Sequence, residues 1–322
     1  MNPLRLLVNL VLALVLVAVT CLSLASGLAV VWCRSWEAYD LTHESTQQNW
    51  AWIDGRPIHY YLDGPEGSPV VVLLHGRQVE GLQTWQEAAR FLSRAGLRVL
   101  AIDLAGYGHS SRDPEADYSL SGQAQTAAKV LNNLHIMGAT VVGHGWGSAV
   151  ALQIAREQPQ FVGGLVLVGP IVYDDDAPLW RPVADVPRLG RAMAWAFDAG
   201  GPLWERRLAG GFRHPSRLNS DYTLAAQEVS RIQGTLRAWT AMAASWEGSD
   251  LPAALGSIPQ RALIIRGSHD ARVSEKDMER LARDLPNAQS VAVDDAGHLV
   301  HLEQPARVHH LLLQFALGHT VE

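Results

Sequence analysis

The stretch from residue 141 to residue 150, V-V-G-H-G-W-G-S-A-V, most constrains what this chain can fold into. It predicts a buried strand that enters a sharp turn at Gly145 and continues as a helix from about Trp146. Such a turn brings strand and helix backbones close together, so small residues must flank its tip, and Gly143 and Gly147 meet that requirement. In a turn of this kind the residue at the tip projects its side chain above the sheet. Here the tip is Gly145, which has no side chain.

The same order of strand and helix recurs along the rest of the chain. A two-residue turn, Asp54-Gly55, predicts a hairpin between residues 49–53 and 56–62. Further predicted strands lie at 70–74, 98–102, 140–142, 164–168, 262–265 and 290–293, with helices at about 85–95, 122–133 and 305–317. Strands that alternate with helices favour right-handed crossovers and parallel pairing. We therefore predict an α/β fold with a mostly parallel, eight-stranded sheet flanked by helices.

The N-terminal segment is the most apolar part of the chain. Residues 6–32 contain no charged side chain and one Asn, and about 20 apolar residues suffice to cross a bilayer. We expect a transmembrane anchor over residues 1–33 and a linker over 34–48. A signal-peptide core is usually about 7–15 residues long, so cleavage near Ala25-Ser26-Gly27 is the alternative. The placement of Arg5 slightly favours an inside N-terminus, which predicts a single-pass protein with an extracytoplasmic domain.

Composition excludes several classes of function. The net charge of −6 and the absence of a basic run argue against a nucleic-acid partner. Both cysteines, Cys21 and Cys33, lie in the apolar segment, so the rest of the chain has neither a disulfide framework nor a cysteine metal site. We expect no cofactor.

Residues 170–258 interrupt the alternation of strand and helix. The segment is rich in Pro and Trp and has helix-like patches, including 222–239. It predicts a helical lid inserted between two parts of a core domain, 49–169 and 259–322. Two interpretations of its aromatic side chains stay open: they pack the lid against the core, or they line an apolar pocket. The tryptophans concerned are Trp180, Trp195, Trp204, Trp239 and Trp246.

Five motifs in order, within about residues 49–318, resemble those of the α/β-hydrolase superfamily. Val142-Gly143-His144-Gly145-Trp146-Gly147-Ser148 resembles its nucleophile elbow. The Trp after the tip is similar both to haloalkane dehalogenases and epoxide hydrolases and to esterases and proline iminopeptidases. The other four motifs are His75-Gly76 (oxyanion loop), Asp103-x-x-Gly106-x-Gly108-x-Ser110 (structural loop), Gly267–Val273 (acid loop) and Gly297-His298 (histidine loop).

The resemblance implies a role for each matching position. Gly145 stands at the nucleophile position, Asp270 is the acid and His298 the base. Gly76, Arg77 and Trp146 form the oxyanion and substrate-binding site, in which Arg77 and Trp146 donate backbone N–H groups. The implied substrate is a small apolar ester, epoxide or haloalkane. His75-Gly76-Arg77-Gln78 lacks the Pro typical of dehalogenases and epoxide hydrolases, which weakens that part of the resemblance.

A glycine at the tip cannot form a covalent enzyme intermediate. Ser148 lies about one helical turn further on and cannot replace the missing side chain. Three hypotheses follow: a hydrolase that lacks its nucleophile, an enzyme in which His298 and Asp270 act as a base alone (dioxygenase- or water-activating), and a non-catalytic ligand-binding protein. Retention of Asp270 and His298 favours the first two.

Three smaller expectations complete the sequence analysis. A metal held by His75, His144, His298 or His301 is disfavoured, because the loops that carry them lack a recognised ligand spacing. Tyr173 and Tyr222 are the lid hydroxyls available to donate to an epoxide. The run 174–176, three aspartates, is interpreted mainly as a solvated lid entrance.

Overall fold

The computed structural model describes residues 3–39, 49–77, 81–173, 178–201, 203–245 and 250–320. Its strands are β1 (Asn49–Ile53), β2 (Arg56–Asp63), β3 (Val70–Leu74), β4 (Arg98–Ile102), β5 (Ala139–His144), β6 (Val162–Val168), β7 (Ala262–Gly267) and β8 (Ala288–Val293). They form one eight-stranded sheet in the order β1-β2-β4-β3-β5-β6-β7-β8. The pairs β1–β2 and β2–β4 are antiparallel, and the other five pairs are parallel. The predicted mostly parallel sheet is confirmed.

The helices that flank the sheet are α2 (Gln86–Arg94), α3 (Leu120–Asn133), α4 (Trp146–Glu157), α10 (Glu275–Asp284), α11 (Val300–Glu303) and α12 (Pro305–Ala316). An N-terminal helix, α1 (Pro3–Trp36), precedes them. The segment between β6 and β7 contains α5 (Pro187–Asp198), α6 (Trp204–Ala209), α7 (Ser220–Ser230), α8 (Thr235–Ala244) and α9 (Leu251–Ala254).

Alternate residues of the central strands pack into two separate hydrophobic cores. On β5, Val141 belongs to the core that contains Val150 of α4, whereas Val142 belongs to the core that contains Leu311 of α12. Because successive side chains of a strand point to opposite faces, a strand that is covered on both faces must be apolar throughout. The apolar runs of the central strands are thereby explained.

The hairpin β1–β2 turns at the predicted dipeptide, with positive φ angles of 51° at Asp54 and 77° at Gly55. The helix-like patch predicted over 222–239 is helical at both ends but interrupted between them. That stretch is divided between α7 and α8, and Gly234, at the N-terminus of α8, has a φ angle of +88°. A left-handed residue cannot continue a right-handed helix, and glycine adopts that conformation readily.

Helix α1 covers the segment for which a membrane anchor was predicted. Among the residues that the structure describes, no helix has the length and apolar content needed to cross a membrane, so the predicted transmembrane helix is not supported. The C-terminal end of α1 contacts α5: the rings of Trp32 and Trp36 lie 5.7 Å and 6.1 Å from that of Trp195. The carboxylate of Glu37 accepts a hydrogen bond from the backbone N–H of Leu236 in α8 (2.7 Å). Residues 40–48 of the predicted linker lie outside the described residues.

Candidate active site

The tip between β5 and α4 has the backbone of a nucleophile elbow. Gly145 has φ 53° and ψ −121°, a conformation that is unfavourable for residues with a Cβ atom. Its N–H donates to the carbonyl of Val168 (2.9 Å), and its own carbonyl accepts from the N–H groups of Ser148 and Ile171 (both 3.1 Å). These bonds tie the tip to the end of β6 and to the first turn of α4, so the bend is held rigidly.

The glycines on either side of the tip are required by close backbone packing. A Cβ atom on Gly143 would lie 2.3 Å from the carbonyl oxygen of Gly147, and one on Gly147 would lie 2.3 Å from the carbonyl oxygen of His75. Neither contact has room for a methyl group. The side chain of Ser148 donates to the carbonyl of Gly143 (2.8 Å) and is fully buried. Its hydroxyl therefore braces the turn.

The structure brings Asp270 and His298 together below the tip, although 28 residues separate them in sequence. Nδ1 of His298 lies 3.0 Å from Oδ2 of Asp270, and both side chains are buried. The other oxygen, Oδ1, accepts from the backbone N–H groups of Arg272 (2.8 Å) and Val273 (3.0 Å). Burial on its own raises the pKa of Asp270, but the hydrogen bond and charge of His298 and these N–H groups lower it on balance. The carboxylate is thus ionised at neutral pH.

The free nitrogen of His298 faces the tip. A Cβ atom built on Gly145 would lie 3.4 Å from Nε2 of His298 and 3.9 Å from the Cα atom of Gly76. A hydroxyl one bond further out would be within hydrogen-bond reach of Nε2. The three predicted positions Gly145, Asp270 and His298 are therefore neighbours. Of the predicted oxyanion residues, Arg77 lines a cavity with His298 and Trp146 follows the tip directly as the first residue of α4.

Sequence reasoning missed one residue that this arrangement requires. Gly169, which follows β6, has a φ angle of +51°, and a Cβ atom on it would lie 3.1 Å from Nδ1 of His298. A side chain there would press on the imidazole that Asp270 holds. The available signal was a glycine placed immediately after a fully apolar strand.

Two buried histidines behind the tip support the site without joining it. Nε2 of His144 lies 3.1 Å from the carbonyl oxygen of His298, and because a carbonyl only accepts, His144 carries its proton on Nε2. Burial, together with the charges of His301 and His298, lowers the pKa of His144 well below its usual range. Burial also lowers the pKa of His301 to about 3. Both rings are neutral at pH 7, so neither places a positive charge beside His298.

The residues that could hold a metal lie elsewhere. His75 is committed, because its Nδ1 donates to the carbonyl of Gly76 (2.6 Å) and its Nε2 accepts from the N–H of Leu104 (3.0 Å). Within the described ranges, the one His, Cys, Asp and Glu group with converging ligand atoms is His59, Asp103 and His109, whose atoms lie within 4.8 Å of one another. It contains none of the predicted site residues.

The oxygens of Asp103 in that group already accept several hydrogen bonds. Oδ1 accepts from the N–H of Leu82 (2.6 Å), while Oδ2 accepts from the N–H of His109 (2.9 Å) and lies 2.6 Å from Nδ1 of His59. These bonds hold the loop after β4 in place. Asp103 is therefore best explained as the residue that organises this loop.

A cavity of about 30 Å³ adjoins His298 under the segment between β6 and β7. Its apolar wall consists of Phe197, Trp204, Leu208 and Leu299. Its polar groups, besides His298, are Arg77, Asp198, Arg207 and Arg272. The sequence analysis did not single out Asp198 or Arg207 because nothing in the sequence shows which faces of α5 and α6 turn toward the site.

The other residues of the predicted lid have different positions. Trp180 donates its indole N–H to Asp198 (2.8 Å), and Trp239 packs against Tyr107 with ring centroids 5.2 Å apart; among the described tryptophans, only Trp204 lines the cavity beside His298. The hydroxyl of Tyr173 donates to Asp284 (2.8 Å), and Tyr222 lines another cavity. Trp246 and the run 174–176 lie outside the described residues.

Comparisons with known proteins agree with the fold. An elbow at the end of a central parallel strand, with an acid and a histidine on the loops after β7 and β8, defines the α/β-hydrolase class. The family described as "alpha/beta hydrolase fold" matches residues 69–305, and the chain belongs to that family.

Two curated relatives and one solved structure illustrate the similarity. The magnesium-chelatase 30 kDa subunit of Rhodobacter capsulatus is 31% identical over 262 residues, covering 76% of this chain and 86% of its own. The 2-hydroxymuconate semialdehyde hydrolase of Pseudomonas putida is 28% identical over 260 residues, covering 79% and 88%. The enol-lactonase from Burkholderia xenovorans LB400 superimposes with a TM-score of 0.68 at 21% identity, covering 84% of this chain and 100% of its own.

Proposed function

We propose that this protein is a hydrolase in which His298, oriented by Asp270, activates a water molecule at the place where related enzymes carry a nucleophile. The observation that carries the proposal is the 3.4 Å between Nε2 of His298 and the position of a Cβ atom on Gly145. The absent side chain leaves that volume open beside a general base. The adjoining cavity of about 30 Å³ has room for a water molecule, since one water needs about 10–15 Å³ on this measure.

The proposed reaction needs no covalent intermediate. Asp270 keeps the proton of His298 on Nδ1, so that Nε2 accepts a proton from water as the water oxygen attacks the substrate carbonyl carbon. The backbone N–H groups of Arg77 and Trp146 then donate to the oxyanion that forms. His298 returns the proton to the leaving alkoxide, which gives an acid and an alcohol. Sites that lack a triad member still accelerate the reaction about 10³–10⁴-fold over the rate in water, and we expect an acceleration of this order here.

The substrate is expected to be a small ester or lactone with an apolar part. The apolar wall of the cavity supports the apolar part, and the name of the enol-lactonase neighbour supports the bond type. The present cavity is too small for such a molecule, so its binding requires α5 and α6, which carry part of the wall, to move outward. The predicted lid over 170–258 would make that movement.

The test compares the full-length protein with Gly145→Ser and Gly145→Asp, each with and without His298→Ala. Short-chain esters, epoxides and haloalkanes serve as substrates, and a fluorophosphonate traps any serine nucleophile. We expect slow ester hydrolysis by the unmodified protein that His298→Ala abolishes and that no phosphonate blocks. We expect Gly145→Ser to be about 10²-fold faster or more and to be blocked by the phosphonate.

The matched control is Ser148→Ala, which removes the other nearby hydroxyl. It should leave phosphonate labelling of the Gly145→Ser form in place, because that hydroxyl donates to the carbonyl of Gly143. Activity that survives His298→Ala would refute the base role. If only Gly145→Asp acts, and only on haloalkanes or epoxides, the site is of the alkyl-enzyme type instead.

A second candidate is a non-catalytic ligand-binding protein, which the glycine at position 145 favours directly. Absence of turnover in all three forms, with retained ligand binding, would support it. The predicted extracytoplasmic location remains a prediction, which protease accessibility of the intact cell surface would test.

A further inference from the structure

The cavity beside His298 combines an apolar wall with guanidinium groups at its edge. We propose that Arg77, Arg207 and Arg272 form a carboxylate subsite, so that the ligand of this cavity is a small amphiphilic acid. For its bond cleavage the inference rests on the proposed function, but the binding preference is independent of turnover. The sequence analysis predicted a small apolar substrate, and the apolar wall accommodates that part of the molecule.

Three separate segments bring the arginines to one place. Arg77 follows the loop after β3, Arg207 lies in α6, and Arg272 follows Asp270 in the loop after β7; all three line the same cavity. The guanidinium of Arg272 also donates to the backbone carbonyl of Arg207 (3.4 Å), so the segments that carry these two residues are in contact. A ligand in this cavity would therefore meet cationic donors from both the core and the inserted segment.

Asp198 orients one of these donors. Its Oδ1 accepts from Nη1 of Arg207, and its Oδ2 accepts from the indole of Trp180 (2.8 Å). Asp198 is almost fully buried, whereas the side chain of Arg207 is 31% exposed. Asp198 thus fixes the position of Arg207, and both residues line the cavity.

The subsite does not require arginines without protein partners. A guanidinium carries five N–H donors in a planar fork, and a carboxylate can be bound by two of them in parallel. Since this geometry matches a planar anion, an acid is favoured over a neutral isostere of the same size.

The position of His298 decides how such an acid would lie. The arginines and His298 line the same cavity, and Nε2 of His298 faces the tip at Gly145. Because the cavity of about 30 Å³ is too small for the whole molecule, its binding requires the outward movement of α5 and α6 proposed above. A carboxylate on the arginines would then direct the remainder of the molecule along the apolar side chains of Phe197, Trp204 and Leu208. An ester bond elsewhere in the same molecule is then presented to the water held by His298.

The experiment measures binding rather than turnover. The full-length protein is titrated by calorimetry with 4-phenylbutyrate and with its neutral primary amide at low ionic strength. We expect the acid to bind about tenfold more tightly than the amide, from one charge-assisted pair. Because the chain has a net charge of −6, its overall field repels anions, so a preference for the acid must arise locally.

Matched variants assign the preference to the cavity. Arg272→Gln and Arg77→Gln should each bring the ratio of the two affinities toward one, while Arg272→Lys retains part of it. The control is Arg188→Gln, an exposed arginine of α5 that does not line the cavity, and it should leave the ratio unchanged. Higher salt should reduce the ratio, because the arginines lie at a solvent-accessible edge.

Two results would overturn the inference: equal affinities for acid and amide, or the same loss of preference in Arg188→Gln as in Arg272→Gln. Failure of the proposed function is a separate outcome. It would appear as absent hydrolysis in the Gly145 forms while the preference for the acid, measured without turnover, persists.

Discussion

The elbow makes a specific prediction about three glycine-to-alanine substitutions. Gly145→Ala places a methyl group 3.4 Å from the nearest atom, which is an ordinary contact, so its effect comes from the backbone angles of φ 53° and ψ −121°. A residue other than glycine in such a sparsely populated region costs about 1–3 kcal/mol. Gly143→Ala and Gly147→Ala have no such backbone penalty but place the methyl group 2.3 Å from a carbonyl oxygen.

Those carbonyl oxygens belong to the backbone of the elbow and of the loop at His75, so they cannot move without displacing a strand end. Overpacking of a rigid site costs about 1–3 kcal/mol, and more where nothing yields. We therefore expect both flanking substitutions to lower the free energy of unfolding by about 3 kcal/mol or more, and Gly145→Ala by less. Equilibrium urea unfolding of the full-length variants, with the m-value checked for constancy, measures the order. If Gly145→Ala proves the most destabilising of the three, the proposed geometry of the tip is wrong.

Three further predictions follow from buried charges and hydrogen bonds. Burial lowers the pKa of His301 to about 3 from a usual value of 6.5. Between these two pH values the unfolded chain binds more protons than the folded one, so the free energy of unfolding falls as the pH drops, by up to about 1.4 kcal/mol per pH unit. Urea unfolding of His301→Gln should therefore depend less on pH between pH 7 and pH 5, and an unchanged pH dependence contradicts this. Asp270→Asn should reduce hydrolysis by about 10²-fold or more while the circular dichroism spectrum is preserved, because the proton of His298 is no longer held on Nδ1; activity equal to that of the unmodified protein contradicts it. Glu37→Gln should weaken the bond to the N–H of Leu236 and increase amide hydrogen exchange in α8, whereas Glu66→Gln, at an exposed site, should not.

The sheet could be predicted closely because its central strands are buried on both faces. An apolar run of five or six residues between turn signals has few alternatives, and β3 and β4 begin and end at the predicted residues. Element ends were less certain: β8 begins at Ala288, two residues before the predicted start. The break at Gly234 was missed because the apolar period continues through it, and only the backbone conformation reveals the interruption.

The site residues that lie on loops directly after strands could be predicted from the sequence. The acid and histidine motifs follow the last two strands, whose carboxyl ends meet at one edge of a parallel sheet, so their proximity to Gly145 could be expected. The cavity was not predictable in the same way. Asp198 and Arg207 reach it only because α5 and α6 pack over His298 with one particular face, and the sequence of an inserted helical segment does not determine its docking.

The glycine at position 145 can be explained either by the backbone conformation of the turn or by a functional role. As far as stability is concerned, glycine is the best residue for the backbone angles at the tip, so its presence needs no functional reason. The presence of Asp270 and His298 next to it does need a functional reason. Asp270 and His298 are both buried, and burying polar side chains costs free energy that an apolar pair of similar volume would not cost. A protein that used this fold only as a scaffold would gain nothing from holding Nε2 of His298 beside an open volume. The feature that needs a functional explanation is therefore the pair of Asp270 and His298 rather than the glycine. The proposed activation of water explains why both side chains are present, whereas a role as a scaffold does not.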